Sequence, residues 1–181
     1  MNMVLLALPG TPFTYYGDEI GMTDGAGSGE RDPFRTPMQW SDSPNAGFTE
    51  GTPWLPVNGD YKTINVETME NVVNSHTKIY REMASLRHSE TILFGSVATN
   101  VTDTVFMMAR IKKGNPGYLV ISNMGQNEVT VSPIVMKNVA SRGLLTLESP
   151  DTSMPIGSTL DLESLVIPPG RNYLVTFVPK M

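Results

Sequence analysis

The chain has 181 residues, 40% of them hydrophobic and 17% charged, with a formal net charge of −5 and no cysteine. That composition is globular rather than disordered and is enough for one domain or one and a half. It excludes disulfides and thiolate metal sites, and the lack of a basic run speaks against nucleic acid or an anionic membrane as a partner.

Residues 1–8 are apolar and stop at Pro9-Gly10, as the end of a helix or a short strand would. Phe13–Tyr16 is aromatic, bounded by Pro12 and Gly17, and predicts a short buried strand in which Tyr15 and Tyr16 pack one inward and one outward. Residues 21–62 are rich in Gly, Pro, Asn and Asp and lack periodicity; a loop of that length in a compact domain is usually functional. Within it, Gly25 to Gly29 precedes no helix and reads as flexible.

The spacing of Val72, His76, Ile79, Met83 and Leu86 predicts a helix over 70–88 with one apolar face, Asn71 as its N-cap and His76 as a packed core histidine. Then the texture changes. Val105–Ile111, Tyr118–Ser122, Val129–Val131, Leu144–Leu147, Leu160–Val166 and Tyr173–Val178 are short runs between turn signals, of which Gly114-Asn115-Pro116-Gly117 is the strongest. Short strands at this spacing predict an antiparallel sandwich, with a domain boundary near 90–97.

Asp18 and Glu19 resemble a carboxylate pair, but neighbours along a strand point to opposite sides and cannot flank one glycosidic bond. Arg31 and Arg35 offer forked donors suited to hydroxyl groups. Arg31 is expected to pair with Asp32 or Glu30, and a lone loop Arg such as Arg35 reads by itself as a solvated charge. Gln39 and Trp40 follow, then Phe48 and Trp54; the aromatic faces could stack on sugar rings, but the simpler expectation is that Trp40 and Trp54 pack the loop. His76 and His88 are isolated, so no metal site or cofactor is expected. Asn100-Val101-Thr102 is a glycosylation triplet of a kind that often occurs by chance.

One stretch carries a resemblance. Gly10-Thr11-Pro12-Phe13-Thr14-Tyr15-Tyr16-Gly17-Asp18-Glu19-Ile20-Gly21-Met22, Arg31-Asp32-Pro33-Phe34-Arg35-Thr36-Pro37-Met38-Gln39-Trp40, Asn45-Ala46-Gly47-Phe48 and Pro53-Trp54-Leu55-Pro56-Val57 resemble the last barrel strand and following loop of an α-glucosidase, of the oligo-1,6-glucosidase and maltase branch of the α-amylase superfamily, glycoside hydrolase family 13. The resemblance implies an α/β plus β fold. Residues 1–92 would be the C-terminal part of a (β/α)8 TIM barrel (last strand, long loop, last helix), and 93–181 a C-terminal antiparallel β-sandwich.

The resemblance also implies a retaining hydrolase of α-glucosidic bonds in oligosaccharides, with an Asp nucleophile, a Glu acid/base and a bracing Asp. All three belong to earlier strands, so no catalytic residue maps here. The Arg before Thr-Pro-Met-Gln-Trp, Arg35, would bind the non-reducing glucose, with Arg31, Gln39 and Trp40 as support. The fragment alone is expected to be inactive, and residues 1–90 are expected not to fold by themselves, because barrel edges would stay open. The same motifs resemble the membrane-anchored heavy chains of heteromeric amino-acid transporters, whose partner is a transporter light chain. In their vertebrate branch the sugar-binding Arg is replaced, whereas Arg35-Thr36-Pro37 is intact here. No membrane span or signal peptide is read within the chain. A targeting segment would lie outside it, which leaves a secreted or membrane-anchored location open.

Overall fold

The computed structural model describes residues 2–27, 29–150 and 154–180. Met1 and Ser28, which the readings above include, lie outside the described residues. The chain forms two compact units, one of residues 1–12 with 81–181, the other of residues 13–80.

The larger unit is a two-layer antiparallel structure. Strands β1 (Ser96–Val101), β2 (Val105–Ile111), β3 (Gly117–Asn123), β5 (Arg142–Glu148), β6 (Thr159–Asp161) and β8 (Asn172–Phe177) form one sheet in the order β1-β2-β3-β8-β5-β6. Strands β4 (Val129–Val131) and β7 (Leu165–Ile167) form a second sheet of two. Alternation decides the core: Val105, Met107, Ala109 and Ile111 of β2 meet Leu119 and Ile121 of β3 and Tyr173, Val175 and Phe177 of β8 in one buried cluster with Leu165 and Ile167. The opposite face of β2 and β3 is covered by two short helices, α1 (Asn2–Ala7) and α4 (Glu90–Phe94). The β2–β3 turn falls at the expected Gly-Asn-Pro-Gly, with Gly114 at φ 79°.

One expectation changes here, and two elements are new. The single run Leu160–Val166 is two strands in different sheets, parted at 162–164. Strand β1 was not anticipated, because this edge strand is only half-buried on one face, at Ala98 and Asn100, and so shows little alternation of apolar residues. Helix α4 is one short element opened by Ser89, whose hydroxyl accepts the Ile92 N–H at 3.4 Å, and is too short for a periodic signal.

The predicted helix over 70–88 is also two helices, α2 (Val66–Asn71) and α3 (His76–Leu86). Val72 is extended, at φ −82° and ψ 131°, and breaks the run. Asn71 is therefore not the N-cap; its amide donates back to the Glu67 carbonyl at the end of α2. The caps are Asn65, whose Oδ1 accepts the Thr68 N–H at 2.7 Å, and Ser75, whose hydroxyl accepts the Lys78 N–H at 3.3 Å. Ile79 and Met83 are buried as expected, whereas Val72 and His76 are exposed.

Candidate functional site

The candidate loop belongs wholly to the unit of residues 13–80. Phe13–Tyr16 is not a ladder strand here: among the described residues its backbone meets no neighbouring strand, and Phe13 and Tyr15 are exposed. A strand's backbone groups require a partner, and local turn bonds take that place.

Gly17 turns the chain at φ 92°, with a Cβ position closed by Met22 Sδ at 2.6 Å, so only glycine fits. One 3-10 turn follows, Asp18–Ile20, ended by Gly21 at φ 72°. The carboxylates of Asp18 and Glu19 serve this turn. Asp18 Oδ2 accepts the Tyr15 N–H at 2.7 Å, and Glu19 Oε2 accepts the Gly17 N–H at 3.0 Å. They lie on a turn rather than a strand, and both bind backbone donors.

Arg35 ends a second 3-10 turn, Asp32–Arg35, which Pro33 opens. The peptides around it are fixed: the Gly25 N–H donates to the Pro33 carbonyl at 2.9 Å, and Tyr16 Oη donates to the Thr36 carbonyl at 3.0 Å. Its side chain is exposed and forms no ion pair among the described residues. Gly25 is itself tightly held rather than loose, since a Cβ there would lie 2.0 Å from Asn58 Oδ1.

Arg31 does not pair with Asp32 or Glu30. Asp32 Oδ2 accepts the Gly29 N–H at 3.2 Å instead, and Arg31 is exposed. A fixed backbone donor satisfies that carboxylate without ordering a long side chain, which is why the exposed pair gains little.

Gln39 is fully buried. Its Nε2 donates to Asp60 Oδ1 at 3.1 Å and to the Ile64 carbonyl at 2.5 Å, while its backbone carbonyl accepts the Val66 N–H at 3.0 Å. It therefore laces the Arg35 segment to the start of α2. Asn58 and Asp60 complete this lacing through Thr23, with Asn58 Nδ2 on the Thr23 carbonyl at 2.7 Å and the Thr23 hydroxyl on Asp60 Oδ2 at 3.3 Å. Neither was singled out from sequence, because Asn and Asp in a loop look like turn residues.

Trp40 is 51% exposed and Trp54 65%, so neither packs the loop within this unit. The work is done by backbone and amide groups. The Trp40 and Ser41 N–H groups both donate to the Ala46 carbonyl, at 2.9 and 3.1 Å. Ala46 lies in a left-handed turn of three residues, Asn45 at φ 55°, Ala46 at φ 58° and Gly47 at φ 66°. The Asn45 amide pins the turn to the Thr49 and Gly51 carbonyls at 3.0 and 2.9 Å.

Tyr15 and Tyr16 lie with ring centroids 4.5 Å apart and planes tilted by 43°. Burial, then Tyr15, raises the Tyr16 phenol above its ordinary value, and the nearby Arg35 charge opposes this. His76 is exposed but lies against Gly21, where a Cβ would come within 2.8 Å of its ring. No cluster of three metal-ligating side chains exists among the described residues.

Residues 1–95 match the family model described as alpha amylase, catalytic domain. Maltase 1 of Drosophila virilis is 37% identical over 159 residues, covering 75% of this chain and 25% of that protein. The alpha-glucosidase of Culex pipiens is 32% identical over 90% of this chain and 29% of its own length, and the amino acid transporter heavy chain SLC3A1 of Rattus norvegicus is 35% identical over 73% and 21%. Among solved structures, trehalulose synthase MutB from Pseudomonas mesoacidophila MX-45 superposes with a TM-score of 0.76 at 26% identity, over 97% of this chain and 37% of that one.

The chain belongs to the alpha-amylase family, whose catalytic-domain model covers its first half. Its architecture is the end of a (β/α)8 barrel followed by a β-sandwich. It spans roughly a quarter of the length of the curated relatives it matches.

Proposed function

We propose that this chain is the C-terminal portion of a retaining α-glucosidase of maltase type that hydrolyses α-glucosidic bonds of oligosaccharides. It supplies the loop that binds the terminal glucose, through Arg35, and none of the carboxylates that cleave the bond. Residues 1–92 are assigned to the barrel and 93–181 to the C-terminal β domain. The observation that carries this reading is the state of Arg35: its backbone is held on both sides while its guanidinium is exposed and, among the described residues, without an ion-pair partner. A forked cation kept free in this way suits the vicinal hydroxyls of a sugar. Gln39 supports it by fixing the loop, Trp40 presents an exposed ring in the same loop, and Arg31 adds a second exposed cation.

The test is Arg35→Ala in the full-length product of the gene. It is expected to raise KM for maltose at least tenfold while the isolated 181-residue chain shows no turnover. An unchanged KM removes Arg35 from the site, and turnover by the isolated chain contradicts the placement of the catalytic carboxylates outside it.

The similarity to SLC3A1 heavy chains supports a second reading, in which the same portion belongs to a membrane-anchored partner of an amino-acid transporter light chain. Co-purification of a light chain by a full-length product without glucosidase activity would favour it.

A further inference from the structure

We propose that Tyr16 is a positioning residue that fixes the Arg35 guanidinium for the sugar; this rests on the reading of Arg35 given above. Arg35 stands between two anchored carbonyls, Pro33 and Thr36. The Pro33 anchor is a backbone bond. The Thr36 anchor is a single side chain, the Tyr16 phenol at 3.0 Å. Thr36 is buried, so that carbonyl has little water to replace a lost donor.

The phenol is in turn held by a chain of local contacts. Asp18 Oδ2 takes the Tyr15 N–H, Tyr15 lies against the Tyr16 ring, and Gly17 gives the turn that aims both rings. The segment Tyr15-Tyr16-Gly17-Asp18 thus transmits its geometry to a residue 20 positions away. Its carboxylate acts on backbone placement rather than on bond cleavage. A misplaced donor weakens sugar binding without altering carboxylates elsewhere, so the expected signature is in KM and not in kcat.

The experiment compares Tyr16→Phe with Arg35→Ala in the full-length enzyme, measuring KM and kcat on maltose together with Tm. Phe keeps the ring and deletes the donor. A KM raised about fivefold or more, with kcat within twofold and Tm within about 2 °C, supports the proposal. Asp18→Asn, which weakens the hold on Tyr15, is expected to raise KM about threefold and serves if Tyr16→Phe fails to fold. If Arg35→Ala raises KM and neither Tyr16→Phe nor Asp18→Asn does, the positioning role is overturned while the reading of Arg35 stands. If Arg35→Ala itself leaves KM unchanged, that reading fails and the positioning role falls with it. If Tyr16→Phe lowers Tm and kcat together with KM unchanged, Tyr16 is structural only and the proposal is overturned.

Discussion

Arg110 donates through Nη1 to the Ala7 carbonyl at 2.9 Å, joining two residues 103 positions apart. Its Nη2 also donates to the Ile92 carbonyl. Ala7 ends α1 and Ile92 lies in α4, so one guanidinium from β2 ties both helices to the sheet by carbonyls that lack an intrahelical partner. Arg87 adds bonds to the Leu6, Leu8 and Gly10 carbonyls at 2.8, 3.2 and 2.5 Å. Two cations thus meet the negative end of α1. Burial, with Arg87 as the lesser cause, lowers the Arg110 pKa from its ordinary value. The carbonyls offset that cost.

Arg110→Met follows as a severe change. Arg110 is only 3% exposed, and hydrogen bonds to charged groups contribute about 1.5–3 kcal/mol each, with orphaned carbonyls left behind. The urea midpoint of the chain should fall by the equivalent of about 3 kcal/mol. A midpoint unchanged from the parent would show that α1 and α4 are held by other contacts.

Ala46→Gly is expected to be neutral or mildly stabilising. A non-glycine residue in the left-handed region costs about 1–2 kcal/mol, and the buried methyl contributes about 0.8 kcal/mol. Gly47→Ala has the opposite sign. It adds a side chain at φ 66° whose Cβ would lie 2.7 Å from Ser41 Oγ. Thermal unfolding of the two variants in the full-length product should separate them in that order. A Gly47→Ala chain as stable as the parent would contradict the left-handed turn.

Glu148 gives a pH dependence. It is buried on β5 beside Tyr173, with Oε2 lacking a partner among the described residues, and burial raises its carboxyl above the ordinary value against the opposing pull of Arg171 and the Met154 N–H. Tyr173 is raised in turn by burial first and then by the Glu148 charge. A carboxyl raised on folding holds its proton more tightly in the native state. Stability therefore falls as pH rises from the ordinary glutamate value through the folded one. Glu148→Gln should flatten that slope and stabilise the chain at pH 7. A Gln variant with an unchanged slope in urea titrations at pH 4–7 would refute the assignment.

The sandwich was legible because its strands alternate against one core. The apolar runs Val105–Ile111 and Val129–Val131 coincide to the residue with β2 and β4 respectively. What failed shares one cause. Strand β1 at an edge, α4 with five residues and the break at Val72 are set by partners or by local dihedrals, which hydrophobic spacing does not report. The site was legible only through its motifs. Arg35 in isolation is one exposed arginine. The roles of Tyr16, Asn58 and Asp60 depend on hydrogen bonds spanning 20 to 37 residues, and no periodicity encodes them. The left-handed turn was half visible, since Asn and Gly favour it, whereas Ala46 does not.

Glucose release from maltose by the full-length gene product tests the central claim most directly. The account predicts turnover in the ordinary enzyme range, about 1–10³ s⁻¹, with a KM raised at least tenfold by Arg35→Ala. No glucose above a mock preparation, from a folded full-length product, would contradict it.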